Sequence, residues 1–337
     1  MLHVRRWVAG LATAAVTLPL LVSCSSDSGP SLVVYNAQHE ELIDEVAKAF
    51  TKKTGIQVEL RNGSDLELAN QLVEEGDASP ADVFLTENSP AMTLVDGKQM
   101  FAQLPSTTLD RIPDQYRPDD GEWTGFAARS TVLVYNTGQL GEDELPTSLM
   151  DLAKPAWKDR ISFSPTGADF QAIVSAVLAT QGEQATKDWL SGLKANGAVY
   201  DGNNVVLESV NSGEVPAGVI YHYYWYRDQE ESGENSDSSR LHFFEKSDPG
   251  AFISVSGAGV LKSSDDAADA RKFVDYLTSK EGQQVIADSY ALEYTLNPQV
   301  ALDRDVKPLS ELQPPTVDVS DLNGPKVVSL MQEAGFL

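Results

Sequence analysis

The chain has few cysteines, histidines and basic residues, and each shortage excludes a class of protein. A single cysteine among 337 residues excludes a disulfide framework and a thiolate metal cluster within one chain. Only 25 Lys and Arg oppose 50 Asp and Glu, so the formal net charge is −25. Phosphate backbones should repel so acidic a protein, and we therefore expect no nucleic-acid partner.

Length and composition indicate an ordinary globular protein. At 337 residues the chain is long enough for about two domains, and 42% hydrophobic with 22% charged residues is a normal composition. These values exclude a mainly disordered, collagenous or coiled-coil chain.

The first 24 residues have the pattern of an export signal. Arg5 and Arg6 precede an uncharged, mostly apolar run over residues 7–22, and Leu21-Val22-Ser23-Cys24 follows. That tetrapeptide resembles a bacterial lipobox, so we predict a signal peptide over residues 1–23, lipidation of Cys24 and a tether over residues 24–30. A plain signal peptide or an uncleaved anchor is the alternative, although the run is shorter than the ~20 residues of a stable span.

From residue 31 onward, short apolar runs alternate with segments of helical periodicity. Leu42, Ile43, Val46, Ala47 and Phe50 have the spacing of one buried helix face. A capping box at residues 64–67 and a strongly amphipathic segment at 265–279 mark further helices. Predicted strands cover residues 31–36, 56–60, 81–86, 131–135, 161–164, 215–221 and 252–261. This order predicts an α/β fold with mainly parallel sheets, in two lobes with a cleft between them.

Local signatures of several enzyme classes are missing from the sequence. There is no Gly-x-Ser-x-Gly nucleophile elbow and no phosphate-binding P-loop. His39-Glu40-Glu41 is followed by Ile43 where a zincin would have its second histidine. Because a catalytic triad can be dispersed along a chain, a secreted hydrolase stays open as one alternative, but we expect no enzyme.

Four residues form a candidate metal site. His39 follows the first predicted strand, Glu87 follows the third, and Tyr223 and Tyr224 follow the strand at 215–221. Ligands of open α/β sheets bind at the carboxyl ends of strands. Taken singly, His39 and Glu87 also fit solvated loop residues, and the two tyrosines fit packing residues.

The combination is chemically specific, because phenolates are hard, anionic oxygen ligands. A tyrosine loses its proton near pH 10 when free, so binding at neutral pH requires a strong Lewis acid. Two phenolates, a carboxylate and a neutral imidazole together balance the charge of Fe³⁺, whereas zinc and copper sites more often contain cysteine or several histidines.

Six stretches of sequence resemble the bacterial ferric-iron-binding proteins, the receptors of ABC-type iron importers. They are residues 34–39, 80–87, 211–217, 223–226, 248–251 and 255–258. The resemblance implies a two-lobed type II periplasmic-binding-protein fold with crossing hinge strands. It implies a first lobe of residues 31–130 with 253–305, and a second lobe of residues 131–252 with 306–337. It also implies that His39, Glu87, Tyr223 and Tyr224 bind iron.

The resemblance further implies an exogenous anion such as phosphate or carbonate, held by Thr166, Gly167, Ala168 and Asn204. Residues 164–168 also fit a plain helix cap. Tyr221-His222 stands where familiar members have two asparagines, so we expect one anion contact of the family to be absent. Arg129 is a candidate to balance charge in the cleft. The implied function is a monomeric, lipid-anchored extracytoplasmic receptor that delivers Fe³⁺ to a permease and its ATPase. A receptor of the same fold for a sugar, polyamine or anion is the alternative.

Overall fold

The computed structural model describes residues 31–337. The predicted signal peptide, the tether and Cys24 lie outside the described residues. None of the helices between residues 31 and 337 has the length and apolar character of a membrane span.

In the described part of the chain, ten strands form a mixed sheet with the order β2-β1-β3-β9-β4-β7-β5-β6, and both β10 and β8 pair with β4. The first section consists of β1, β2 and β3 in parallel, with β9 antiparallel beside β3. The second section contains β5, parallel to both β6 and β7. The strands are β1 (Ser31–Asn36), β2 (Gln57–Asn62), β3 (Val83–Leu85), β4 (Trp123–Asn136), β5 (Ile161–Phe163), β6 (Gly197–Val199), β7 (Ala217–Tyr221), β8 (Ser239–His242), β9 (Ile253–Val260) and β10 (Tyr294–Thr295).

Strand β4 connects the two sections without a break. Its residues from Trp123 to Ser130 pair with β9, and those from Thr131 to Tyr135 pair with β7. All 14 of its residues are buried. The sequence predicted only residues 131–135 as a strand here, because the preceding segment contains Gly125 and Arg129 and lacks a continuous apolar run. The two predicted sheets are therefore two sections of one hydrogen-bonded sheet.

Eleven α-helices accompany the sheet within residues 31–337. They are α1 (Glu40–Thr54), α2 (Asp65–Glu75), α3 (Ser89–Asp96), α4 (Ser106–Leu109), α5 (Ala168–Gln181), α6 (Glu183–Asn196), α7 (Asn203–Asn211), α8 (His222–Glu231), α9 (Ala267–Thr278), α10 (Lys280–Asp288) and α11 (Gly324–Glu333). The predicted buried face of α1, from Leu42 to Phe50, is confirmed. Gly55 ends this helix in the left-handed conformation (φ 78°), which glycine adopts without strain.

Each section of the sheet has its own hydrophobic core. In the second section, Trp189, Leu190 and Leu193 of α6 are buried with Phe163 of β5. In the first section, Phe50 of α1 packs with residues of α9 and α10. The two cores fix the two halves of the molecule separately, and β4 passes through both. The residue boundaries of the two lobes stay a prediction.

Candidate metal centre

The four predicted ligands lie at strand ends in both sections of the sheet. His39 follows β1 and immediately precedes α1, and Glu87 lies between β3 and α3. Because β1 and β3 are parallel, their carboxyl ends meet at one edge, which brings these two side chains together. Tyr223 and Tyr224 lie in the first turn of α8, directly after β7.

The structure brings three of these side chains within reach of a common point. Nε2 of His39 is 3.8 Å from Oε1 of Glu87, and the Tyr223 hydroxyl donates to the same Glu87 oxygen at 3.2 Å. Metal–ligand bonds of about 2 Å place neighbouring ligand atoms roughly 3 Å apart in an octahedral site. Of the two distances to Glu87 Oε1, one is near and one is above that value, so the spacing around this oxygen is compatible with one shared ion.

The Tyr223 ring is buried and the Tyr224 ring is half-buried, and both hydroxyls point to carboxylates. Tyr223 is 0% exposed, and its ring stacks on Tyr224 with centroids 4.2 Å apart. The Tyr224 hydroxyl donates to Oδ2 of Asp169 at 3.0 Å. A purely structural tyrosine in a hydrophobic core would not need two carboxylates beside it, and the arrangement suits a group that loses its proton to a metal.

Asp169, the second residue of α5, was missed by the sequence analysis. Its Oδ2 accepts hydrogen bonds from Tyr224 and from Nδ2 of Asn203 at 2.8 Å, and its Oδ1 accepts from Nδ2 of Asn88 at 3.3 Å. The signal was present, because Asp169 directly follows the predicted anion-binding residues at the start of a helix. A carboxylate there is stabilised by the positive end of the helix dipole.

Glu293, in the loop between α10 and β10, was also missed. It is 0% exposed and its Oε1 lies 3.4 Å from Nε2 of His39. Its Oε2 accepts from Nη2 of Arg129 at 2.7 Å, and the Arg129 side chain is 0% exposed as well. Arg129 therefore pairs with a carboxylate that the sequence did not reveal, and its role in balancing charge in the cleft stays a prediction.

Burial controls the protonation of the site. It raises the pKa values of Glu87 and Asp169 to about 7, against the lowering effect of Arg129. Burial also raises the pKa values of Tyr223 and Tyr224 well above 10, and the neighbouring carboxylates add to this effect. Without a metal, both phenols therefore keep their protons at neutral pH.

Burial lowers the pKa of His39, although the nearby Glu293 opposes the shift. The imidazole is therefore neutral at pH 7, which is the form that binds a metal.

The chemistry of the cluster fits a metal only if the phenols participate. Between residues 31 and 337, no group of three or more His, Cys, Asp and Glu side chains is arranged to hold a metal ion. The hydroxyls of Tyr223 and Tyr224 are needed in addition to His39 and Glu87 to give four ligand atoms. Such a set favours a hard, strongly acidic cation over zinc or calcium.

Comparison with known proteins decides the family. Residues 78–319 match the model of the bacterial extracellular solute-binding proteins. The Fe(3+)-binding periplasmic protein of Serratia marcescens is 53% identical over 315 residues, 94% of this chain and 93% of that protein. The chain belongs to the bacterial extracellular solute-binding protein family.

Two further proteins are similar to the chain over nearly all of its length. The major ferric iron-binding protein of Neisseria gonorrhoeae is 37% identical over 96% of this chain and 99% of its own length. The crystal structure of iron-bound HitA from Pseudomonas aeruginosa superimposes with a TM-score of 0.86 at 41% identity, over 91% of this chain and 100% of that one. The predicted two-lobed type II periplasmic-binding-protein fold is thereby confirmed.

In this solute-binding protein, three of the four predicted anion-binding residues directly precede Asp169 in the chain. Gly167 is the residue before α5, Ala168 is its first residue, and Thr166 is exposed. Asn204 is also exposed and lines a cavity of about 270 Å³ together with Tyr224. The neighbouring Asn203, rather than Asn204, contacts the Asp169 carboxylate. The assignment of these four residues to an anion stays a prediction.

Tyr221 and His222, which stand where familiar members of the resembling family have two asparagines, differ from each other in their surroundings. The Tyr221 hydroxyl donates to the backbone oxygen of Asp169 at 3.3 Å, so it lies beside the carboxylate cluster. The His222 ring stacks on Tyr294 at 4.3 Å, and its Nδ1 accepts from the backbone N–H of Ser130 at 3.2 Å. Burial lowers the pKa of His222 to about 3, so this ring is neutral at pH 7 and packs against β4 from the start of α8.

Proposed function

We propose that the protein is an extracytoplasmic receptor that binds Fe³⁺ between its lobes and delivers it to an ABC-type permease and its ATPase. The observation that carries this proposal is the approach of His39, Glu87 and Tyr223 to one another, with Tyr224 stacked beside them. The names of its relatives, which are ferric-iron-binding proteins at 53% and 37% identity, support the choice of cargo.

The ligand set explains why a trivalent cation would be preferred. Binding converts Tyr223 and Tyr224 to phenolates, and only a strong Lewis acid can displace protons from groups whose pKa values burial has raised. Divalent ions bind the same hard oxygens less strongly, and they leave one negative charge of the two phenolates and the carboxylate unbalanced. Fe³⁺ therefore matches both the hardness and the charge of the site.

We further propose that Asp169 supplies the oxygen that was expected from an exogenous anion. Its carboxylate lies at the start of α5, next to Thr166, Gly167 and Ala168, and contacts Tyr224. A carboxylate at this place repels a second anion. Ferric binding should then need neither phosphate nor carbonate, whereas the Asp169→Asn variant should need one of them. Phosphate or carbonate at Thr166–Ala168 and Asn204 is the competing prediction, and a requirement for either anion in the wild-type protein would support it.

Lobe closure follows from the placement of the ligands. His39 and Glu87 come from the first section of the sheet, and the tyrosines come from the second. A metal that needs both pairs stabilises only the state in which they are close, so binding shifts the protein towards closure.

Visible absorption spectroscopy tests the ferric site. Loading with Fe³⁺ should produce a phenolate-to-iron charge-transfer band at a stoichiometry of one iron per chain. Tyr223→Phe and Tyr224→Phe should each weaken or shift this band, because each loses one hydroxyl and keeps the ring. Tyr200→Phe is the matched control, since its hydroxyl donates to Glu214 rather than to the cluster. Stoichiometric iron without a band, or a band unchanged in both variants, would contradict the ligand assignment.

Anchoring at the membrane is part of the same proposal and rests on the lipobox at residues 21–24. Labelling cells with a radioactive fatty acid should mark the wild-type protein and leave Cys24→Ser unlabelled. We propose a monomer without enzymatic activity, and light scattering and assays with generic ester and phosphate substrates test these two points.

A further inference from the structure

Helix α8, which carries both candidate phenols, contacts the other half of the molecule. The helix directly follows β7, a strand of the second section, and the Tyr223 ring is part of the core of that section. One turn further on, the central carbon of the Arg227 guanidinium lies 4.6 Å from the centroid of the Tyr290 ring. Tyr290 lies between α10 and β10 and packs against the core of the first section. Arg227 therefore joins a helix of the second section to an aromatic ring of the first.

The same guanidinium lies beside a candidate metal ligand. Its central carbon is 6.0 Å from the centroid of the Tyr223 ring, which stands four residues earlier on the same face of α8. Nε of Arg227 is buried and has no hydrogen-bond partner among residues 31–337. A guanidinium is planar and weakly hydrated, so it stacks readily on aromatic faces. Arg227 is thus within cation–π range of two rings, one from each half of the molecule.

A second contact of α8 with the first section lies three residues further along the helix. Glu230 accepts a hydrogen bond from Nη1 of Arg304 at 2.9 Å, and Nη2 of Arg304 donates to the backbone oxygen of Asp288 at the end of α10. Both charged side chains are partly exposed, so this ion pair by itself contributes little. Together with Tyr223 and Arg227, it shows that one face of α8 meets the first section over two turns.

We propose that Arg227 is a positioning residue of the metal centre. Its cation–π contact with Tyr290 holds the turn of α8 that carries both phenols against the first section, where His39 and Glu87 lie. The inference rests on the proposed ferric-receptor function and deepens it, because it names a contact that keeps the two halves together around the ion. Arg227 acts through the phenols and is not itself a metal ligand.

The effect on iron follows from the position of the contact. The Arg227–Tyr290 contact spans the two halves, so it forms fully only while they are together. Metal binding requires the same arrangement, because the candidate ligands come from both sections. Each interaction therefore favours the state that the other requires, and loss of the contact should weaken binding and speed release. A cation–π contact at a half-buried site corresponds to about 3–30-fold in an equilibrium constant.

Arg227→Met tests the role of the charge, since it keeps an unbranched side chain and removes the guanidinium. We expect the variant to release iron about 3–30-fold faster than the wild type, measured by capture with an excess of chelator while the charge-transfer band decays. Arg227→Lys keeps the charge and should release iron more slowly than Arg227→Met. Arg160→Met is the matched control, because the Arg160 guanidinium lies over Trp157 at 5.4 Å within the second section.

Substitutions of Tyr290 test the other side of the contact. Tyr290→Leu removes the ring and should speed release as much as Arg227→Met does. Tyr290→Phe keeps the ring, and its release rate should stay within about twofold of the wild-type rate. Equal rates for Tyr290→Phe and Tyr290→Leu would mean that the ring has no role, and would overturn the proposal.

A double-mutant cycle shows whether the two side chains act together. Arg227→Met combined with Tyr290→Leu should release iron no more than about threefold faster than the faster single variant, because both changes remove one contact. If the two effects multiplied instead, the side chains would act independently and the proposal would fail.

Thermal unfolding of the iron-free variants separates positioning from general damage to the fold. A lower melting temperature with an unchanged release rate would mean that the contact persists when the halves separate, which would overturn the inference. If Arg227→Met does not fold, the two substitutions of the half-buried Tyr290 still decide the outcome. A wild-type chain that fails to bind Fe³⁺ would refute the proposed function. Normal release by Arg227→Met and Tyr290→Leu, beside a wild type that does bind Fe³⁺, would refute only this inference.

Discussion

Ferric loading at pH 7 should release about three protons from the ligand set, a number that follows from the burial of the site. The phenols of Tyr223 and Tyr224 hold one proton each, because their pKa values lie well above 10. Glu87 and Asp169, with pKa values of about 7, each hold about half a proton on average. A metal that binds all four oxygens displaces all of these protons.

The same numbers fix how the affinity for iron changes with pH. Each released proton contributes a factor of ten per pH unit, so the affinity should rise roughly a thousandfold per unit near pH 7. Near pH 9 the two carboxyls are already ionised. Release should then fall to about two protons, with a hundredfold rise in affinity per unit. Acid therefore weakens binding, and release of iron is favoured as pH falls.

Isothermal titration calorimetry with a ferric chelate, repeated in two buffers of different ionisation enthalpy, counts the protons. A titration of the chelate without protein corrects for protons that come from the iron and the chelator. Tyr223→Phe should release about one proton fewer than the wild type, and Tyr200→Phe should release the same number. Release of one proton or fewer by the wild type at pH 7, or an equal count for Tyr223→Phe, would refute the reasoning.

Three further predictions concern stability in the iron-free protein. Burial and two neighbouring carboxylates raise the pKa of Asp96 to about 6, so the folded state loses stability as pH rises from about 4 to 6. Asp96→Asn should therefore raise the melting temperature at pH 8 but not at pH 4, and an equal shift at both would contradict this. Phe50→Ala should lower the free energy of unfolding, measured by urea denaturation, by about 3–5 kcal/mol, because its buried ring packs on Phe273 with centroids 5.1 Å apart. A loss below about 1 kcal/mol would mean that the surrounding side chains collapse to fill the cavity. Gly282→Ala should lower the free energy of unfolding in the same assay by about 1–3 kcal/mol or more, because the added Cβ would overlap the carbonyl oxygen of Tyr276. An unchanged denaturation midpoint would show that α10 can shift to make room.

The sequence predicted most strands because hydrophobic runs and turns are local signals. β1 was predicted at residues 31–36 and is observed at Ser31–Asn36, and β9 was predicted at 252–261 and is observed at Ile253–Val260. The first half of β4 was missed, since burial of Arg129 depends on Glu293, a residue 164 positions away. No local pattern reveals such a partner.

The candidate ligands were predicted for a related reason. His39, Glu87 and the two tyrosines lie next to strand ends, which the sequence marks, and resemblance to a family supplied their combination. Asp169 and Glu293 are single acidic residues in a chain that contains 50 Asp and Glu. Only folding distinguishes them, because it buries them beside Tyr224 and His39 and leaves most other acidic residues in solvent.

Strand β4 changes its pairing partner in the middle: it pairs with β9 up to Ser130 and with β7 from Thr131 onward. This change affects how the two halves of the molecule can rotate relative to each other. Strand β4 runs from one half into the other without a linker. A rotation of the halves therefore requires changes in a few backbone torsion angles near Ser130 and Thr131. The His222 ring caps the Ser130 N–H at the same place, one residue before Tyr223. Torsion at the junction therefore moves the helix turn that carries both phenols, which ties the opening angle between the halves to the position of the hydroxyls proposed to bind iron.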